Sequence, residues 1–310
     1  MASQQAVLDF LNTATSQGER SALIVLTGVE GSAARGVGTL MGVTESGAWL
    51  GSLSGGCTEA ALAGEAQRVI ASGKCETLRI GTGSPLIDIR LPCGSGMDLL
   101  IMPDLAGDVL DHARACLFAR NPAELVLGCD GVAIVREGVR HASPGWRDGG
   151  FHLHISPQLR LVIAGHGEEV TALTVLASAW GAEICVLTPD ERLANELGSA
   201  AVMLKTPAAN PALALDCWSA LVMLFHDHDW ETAMLAQALE QQAFYIGAMG
   251  SPATHHRRLE ALAQAGITPE AAARIQGPIG LIPSARDPQT LALSVMAEVV
   301  AAYNAHDGKG

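Results

Sequence analysis

The second half of the chain alternates short apolar runs with amphipathic stretches, and that order restricts it to a parallel sheet flanked by helices. Residues 159–164 form an apolar run of buried-strand length. It leads through Gly165-His166-Gly167 into 168–180, where Val170, Leu173, Ala177 and Trp180 share one helical face. Gly181 closes that helix, 183–187 is the next strand, and Asp190 follows it. A tight glycine turn between strand and helix lets an anion approach backbone N–H groups, and an acidic residue about 20 positions on is placed for a ribose hydroxyl. The match is incomplete. Val170 stands where a third glycine belongs, and Glu168 and Glu169 occupy the helix start, where they repel a pyrophosphate. Tight NAD(P) binding is therefore not expected.

Further on, 219–225 reads as a strand that runs into His226-Asp227-His228-Asp229. In an extended chain the two histidines share a face. They could hold a metal or orient a ligand at the carboxyl edge of the sheet, while Asp229 could instead cap a helix over 230–241. Another short strand, 243–247, enters Gly247-Ala248-Met249-Gly250-Ser251 and a helix over 252–264. His255, His256, Arg257 and Arg258 lie early in that helix, which reads either as an anion site or as a solvated face. Asp287 and Pro288 begin the last helix as cap and first residue.

The first half is organised differently. A helix over the first residues precedes a β-rich run at 22–26 and a glycine-rich turn at 28–38. Strands are expected at 40–43 and 49–53, with a helix at 58–72 ended by Gly73. Strand-like runs follow at 77–80, 86–91, 99–102, 125–127 and 132–135, with a helix at 109–119. In GSLSGGCTEA, residues 51–60, a strand is expected to end in Gly55-Gly56-Cys57 with the helix starting at once. A thiol so placed has its pKa lowered by the helix dipole, and Glu59 is close enough to tune it. Cys93 sits between Pro92 and Gly94, in open backbone. The two cysteines read either as thiolates for a soft metal or sulfur, or as small buried residues. At 310 residues the chain is long enough for two domains, 1–150 and 151–310, joined through a polar stretch around Pro144 and Pro157.

Charge and composition narrow the function classes. A formal charge of −13 opposes binding to nucleic acid and to anionic membranes. No apolar run approaches the ~18 residues of a membrane span, and the N-terminus lacks a basic stretch before an apolar one. The seven cysteines are odd in number and irregularly spaced, which predicts free thiols and a cytoplasmic protein. There is no G-x-S-x-G elbow, no Walker A loop and no H-E-x-x-H, and the three lysines leave few candidates for Schiff-base chemistry.

Taken together, the motifs resemble those of the XdhC/CoxI family of xanthine dehydrogenase accessory proteins. That family's G-S-x-P-R-x-x-G-x-x-M reads GSAARGVGTLM here, with Ala34 in place of proline. Its G-S-x-S-G-G-C-x-E is complete from Gly51 to Glu59, and its C-G-G is Cys93-Gly94-Ser95. The Gly165–Gly167 turn, the 226–229 run, the Gly247–Ser251 turn and GPIGL at 277–281 follow in the family's order. Two departures fall in the second domain: Glu168 stands where a histidine is usual, and Ile282-Pro283-Ser284-Ala285 replaces D-I-G-A.

The resemblance implies an N-terminal α/β domain followed by a Rossmann-like, doubly wound parallel-sheet domain. It implies a homodimeric chaperone rather than a turnover enzyme. Such a protein shields the molybdenum cofactor, as molybdopterin or its cytosine dinucleotide form, presents it to a cysteine desulfurase for sulfuration, and inserts it into an apo molybdenum hydroxylase of the xanthine dehydrogenase or aldehyde oxidoreductase type. The implied contacts are Ser32, Arg35, Gly55, Gly56, Cys57, Glu59, Cys93 and Gly94 in the first domain. In the second they are Gly165, His166, Gly167, His226, Asp227, Gly250, Ser251 and Arg257. Cys57 and Cys93 would touch molybdenum or its sulfur. The rival reading is an NAD(P)-dependent oxidoreductase using the Gly165-His166-Gly167 turn; a scaffold that only binds the hydroxylase would need neither cysteine.

Overall fold

In a computed structural model, residues 3–56, 58–84, 94–138, 143–208, 210, 212–225 and 230–307 are described. The first unit is built around β1 (Ser21–Glu30), whose first seven residues are all buried. Its alternation is two-sided. Ala22, Ile24 and Leu26 join a core with Leu62, Ala66, Val69 and Ile70 of α2 (Glu59–Ser72). Leu23 and Val25 face a second core containing Leu11 of α1 (Gln4–Ser16) and Leu110 and Leu117 of α3 (Gly107–Phe118). Period-two burial on both faces is what a central strand covered by helices on each side demands.

β1 is flanked by β2 (Leu40–Thr44) and β3 (Trp49–Gly51) on one side, and by β5 (Gly96–Pro103) and β4 (Glu76–Gly81) on the other. The pairs β1–β2, β2–β3, β1–β5 and β4–β5 are all antiparallel. A second sheet, in the order β7 (Ala133–Glu137), β6 (Ala123–Gly128), β9 (Gly150–Ile155), β8 (Gly145–Arg147), adds Leu125, Phe151 and Leu153 to the α1/α3 core.

Two expectations for this half change. The division of the chain follows Pro157 rather than residue 150, because β9 pairs with β6 along its length, from Gly128↔Gly150 to Ala123↔Ile155. The strand expected at 49–53 stops at Gly51. There the backbone turns to φ +105°, and a Cβ would lie 2.4 Å from the Leu40 carbonyl oxygen. The strand therefore does not run to Cys57, and α2 begins at Glu59 with Thr58 as its cap. The strand expected at 86–91 lies outside the described residues.

The second unit, Gln158–Gly310, is a parallel six-stranded sheet. Its strands in chain order are β10 (Arg160–Gly165), β11 (Glu183–Thr188), β12 (Ala201–Met203), β13 (Ser219–Leu224), β14 (Tyr245–Ala248) and β15 (Ile275–Gln276). They lie in the order β12-β11-β10-β13-β14-β15, so the chain reverses direction across the sheet between β10 and β13. That is the doubly wound Rossmann order, with its switch point beside Gly165. The helices are α4 (Glu168–Trp180), α5 (Glu191–Leu197), α6 (Glu231–Leu239), α7 (Pro252–Gln264), the short α8 (Pro269–Ala272) and α9 (Pro288–His306). Strands of β10 and β13 are apolar without alternation because helices cover both faces. The cap read from sequence is in place, with Asp287 accepting from Thr290 N at 2.8 Å, and Ser251 likewise caps α7 by accepting from Thr254 N.

Candidate functional site

The antiparallel registers of the first sheet bring three glycine-rich segments to one of its ends. Glu30 at the end of β1 pairs with Gly96 at the start of β5, so the loop after Glu30 starts beside Gly94 and Ser95. Gly51, paired with Met41, sends residues 52–56 out at the same end. The loops then touch. A Cβ on Gly55 would sit 3.7 Å from that of Ala34, and one on Gly31 would sit 3.6 Å from Ser95 Cα. Gly31, Gly38, Gly55, Gly56 and Gly94 all have positive φ, a backbone that L side chains rarely adopt.

Glu59 organises the middle segment. It is buried, and its Oε1 accepts from the Ser52 hydroxyl at 2.7 Å, Leu53 N at 3.1 Å and Ser54 N at 2.9 Å. Its Oε2 accepts from the Ser54 hydroxyl at 2.9 Å and Thr58 N at 3.1 Å. The two serines relay the grip: Ser52 Oγ accepts from Gly55 N and Ser54 Oγ from Thr58 N. Burial pushes the Glu59 pKa up, but the backbone of Ser54 and the hydroxyls of Ser52 and Ser54 outweigh it and hold the group at about 2. Glu59 therefore carries its charge as the anchor of residues 52–54 and of Thr58. The sequence reading missed Ser52 and Ser54, although two hydroxyls just ahead of a helix-opening acid were the signal for them.

Arg35 supplies positive charge beside these loops. It is half-buried, its Nη1 donates to Ala34 O at 2.9 Å, and its Nε is buried with no hydrogen-bond partner among the described residues. Ser32 is exposed on the same loop. Arg79, also at this end, is instead engaged by Asp98 at 3.0 Å, by Glu30 and by Thr82 O. Cys57 and Cys93 lie outside the described residues.

In the second unit, Gly165 ends β10 where only glycine fits, since a Cβ would lie 2.8 Å from Leu224 O. His166 meets Phe225 edge to face at 5.9 Å. Gly167 is the N-cap of α4, with φ +93°, and Glu168 and Glu169 form the first turn. Asp190 caps α5, accepting from Arg192 N at 2.9 Å and Leu193 N at 3.2 Å. A groove of about 1000 Å³ runs between α4, α5 and α9, lined by Gly167, Glu168, Asp190 and Arg192 among others, and the two carboxylates of the first turn of α4 oppose an anion at that helix start.

The Gly250–Ser251 turn lies at the same carboxyl edge, with Met249 N bonded to Met223 O. Of the basic residues behind it, Arg257 is exposed. Arg258 is buried and committed to Glu231 at 2.9 and 3.0 Å and to Met249 O at 2.6 Å. Burial and the Arg258 charge lower the His255 pKa, which disfavours a cationic imidazole there. His226, Asp227 and their neighbours to residue 229 lie outside the described residues.

Comparison with known proteins matches both units. Residues 14–81 match the XdhC and CoxI family, and residues 161–299 match the XdhC Rossmann domain. A molybdenum cofactor insertion chaperone of Escherichia coli K12, PaoD, is 35% identical over 297 residues, covering 95% of this chain and 87% of its own. A solved structure described as a xanthine dehydrogenase from Bacillus halodurans superposes with a TM-score of 0.76 at 22% identity, covering 96% of both chains. At that identity the likeness speaks for the fold.

Proposed function

The chain belongs to the XdhC/CoxI family, and on that footing we propose that it is a molybdenum-cofactor chaperone: it holds the cofactor as cargo and inserts it into an apo molybdenum hydroxylase. The observation that carries this reading is the meeting of the 31–38, 52–56 and 94–95 loops at one end of the first sheet. Their chemistry fits the cargo. The pterin carries a phosphate, which suits glycine-exposed backbone N–H groups and the Arg35 guanidinium with its unpartnered Nε. Molybdenum and its dithiolene sulfurs are soft, which suits the thiols of Cys57 and Cys93, the residues next in chain to Gly56 and Gly94. Within this site Glu59 is a positioning residue, fixing the loop that carries Cys57.

The same reading extends to a cysteine desulfurase that sulfurates the held cofactor, to a xanthine dehydrogenase or aldehyde oxidoreductase type of client, and to a cytoplasmic homodimer. In the second unit the reading assigns its contacts to Gly165, His166, Gly167, Gly250, Ser251 and Arg257, together with His226 and Asp227 of the 226–229 run.

The test is anaerobic purification from molybdate-fed cells, with molybdenum and pterin measured per chain, followed by activation of an apo hydroxylase. Cofactor near one per chain is expected. Cys57→Ser should abolish retention or delivery, and Cys93→Ser should reduce it less, with circular dichroism unchanged in both. Delivery by Cys57→Ser at the parent level would refute the thiol assignment; absence of bound pterin together with robust NADH oxidation would refute the chaperone reading.

A further inference from the structure

We propose that His112, Cys116 and Glu137 form a binding site for a borderline-soft divalent cation of the zinc class, on the first unit and separate from the glycine loops. His112 and Cys116 lie one turn apart on α3, so their side chains share a helix face. Glu137 ends β7, which packs along that helix. The three donor atoms, an imidazole nitrogen, a thiol sulfur and a carboxylate oxygen, all lie within 4.8 Å of one another.

The spacing suits a metal. Zinc takes nitrogen and oxygen at about 2.0–2.2 Å and sulfur at about 2.3 Å, which in a tetrahedron sets neighbouring donors about 3.5 Å apart. Closing the present triangle needs side-chain adjustment only. His112 Nε2 and Glu137 Oε1 are already 2.6 Å apart, held by the hydrogen bond that a metal would replace. That contact by itself is a surface pair of small value and has no use for a thiol. Cys116 is buried, 5% exposed, and its Sγ lies within 4.8 Å of the other two donor atoms.

The donor set also selects the ion. One soft sulfur, one imidazole and one carboxylate favour zinc-class ions over calcium or magnesium, which take oxygen alone. Binding releases the Cys116 proton to solvent and sets one thiolate and one carboxylate against two positive charges, so the filled site is neutral beside the core. His112 and Glu137 are exposed, which leaves a fourth coordination position to water or an incoming ligand.

The experiment uses the full chain in a Cys57→Ser/Cys93→Ser background, stripped with chelator and titrated with cobalt(II). A thiolate-to-cobalt charge-transfer band saturating at one equivalent is expected. It should vanish in Cys116→Ser. In His112→Ala, an exposed change that leaves the core intact, zinc affinity should fall at least about a hundredfold, since even outer-shell partners of a metal are worth roughly 10–100-fold. No band, a band that survives Cys116→Ser, or zinc affinity unchanged in His112→Ala would each overturn the proposal.

Discussion

Glu59 holds Ser54 twice, taking its backbone N–H at 2.9 Å on one carboxylate oxygen and its hydroxyl at 2.9 Å on the other. With Ser52, Leu53 and Thr58 as further donors, the carboxylate closes a ring around the segment that leads to Cys57.

The first prediction follows from that ring. Glu59→Gln keeps the size of the side chain but sets an amide N–H₂ against Thr58 N–H or the Ser54 hydroxyl. Hydrogen bonds to a charged group contribute about 1.5–3 kcal/mol. The variant should lose about that much stability in urea unfolding and should retain less molybdenum per chain, although the residue lies behind the loop. Full retention with an unchanged midpoint would remove Glu59 from the positioning role.

Acid should act through the same group. Its pKa is about 2 in the folded chain against an ordinary 4.5. Because the folded value is the lower one, the stabilisation is complete above about pH 4.5 and is lost as pH falls towards 2. The gap corresponds to about 3 kcal/mol. Urea midpoints compared between pH 6 and pH 3 should therefore fall more steeply for the parent than for Glu59→Gln. Parallel slopes would show that the folded group titrates normally.

Much of this was legible in the sequence, for physical reasons that differ by unit. In the Rossmann unit the apolar runs, Gly165, Ser251 and Asp287 each act on their own neighbours, so strand, turn and cap could be placed one at a time. The end of β3 could not. It depends on Gly51 meeting Leu40 across the ladder, a contact that no local pattern encodes. Likewise β9 looked like the opening of the second domain, yet its partner β6 lies more than twenty residues upstream. Glu59 was recognised as part of a motif. Its role as the acceptor for Ser52 and Ser54 became visible only when the loop curled back on the helix start.

The dinucleotide-type turn yields a third prediction. Glu168 and Glu169 put two carboxylates in the first turn of α4, and Glu168 lines the groove beside Gly167. Calorimetry should show weak or no NAD binding to the native chain. Replacing both by glutamine removes like charge from a helix N-terminus and should tighten nucleotide binding measurably. Tight binding by the unmodified chain would contradict this account of the turn.

A fourth prediction concerns Arg258 and Glu231, each with a side chain 2% exposed. Their two parallel hydrogen bonds join α7 to the start of α6, and Arg258 also holds Met249 O, so the pair fixes the Gly250–Ser251 turn at the sheet edge. Desolvating both ions is costly, and apolar residues of similar volume often match such a pair in stability, whereas removing one partner strands a buried charge. Glu231→Gln should therefore lower the stability of the second unit by about 3–5 kcal/mol. The double change Glu231→Leu/Arg258→Met should recover most of that loss, because no charge is left uncompensated. It should not restore the grip on Met249, so protection of the Gly250 and Ser251 amides in hydrogen exchange should stay below the parent level. A Glu231→Gln chain that unfolds at the parent's urea concentration, or a double variant no more stable than the single one, would show that the buried pair does not act through its charge.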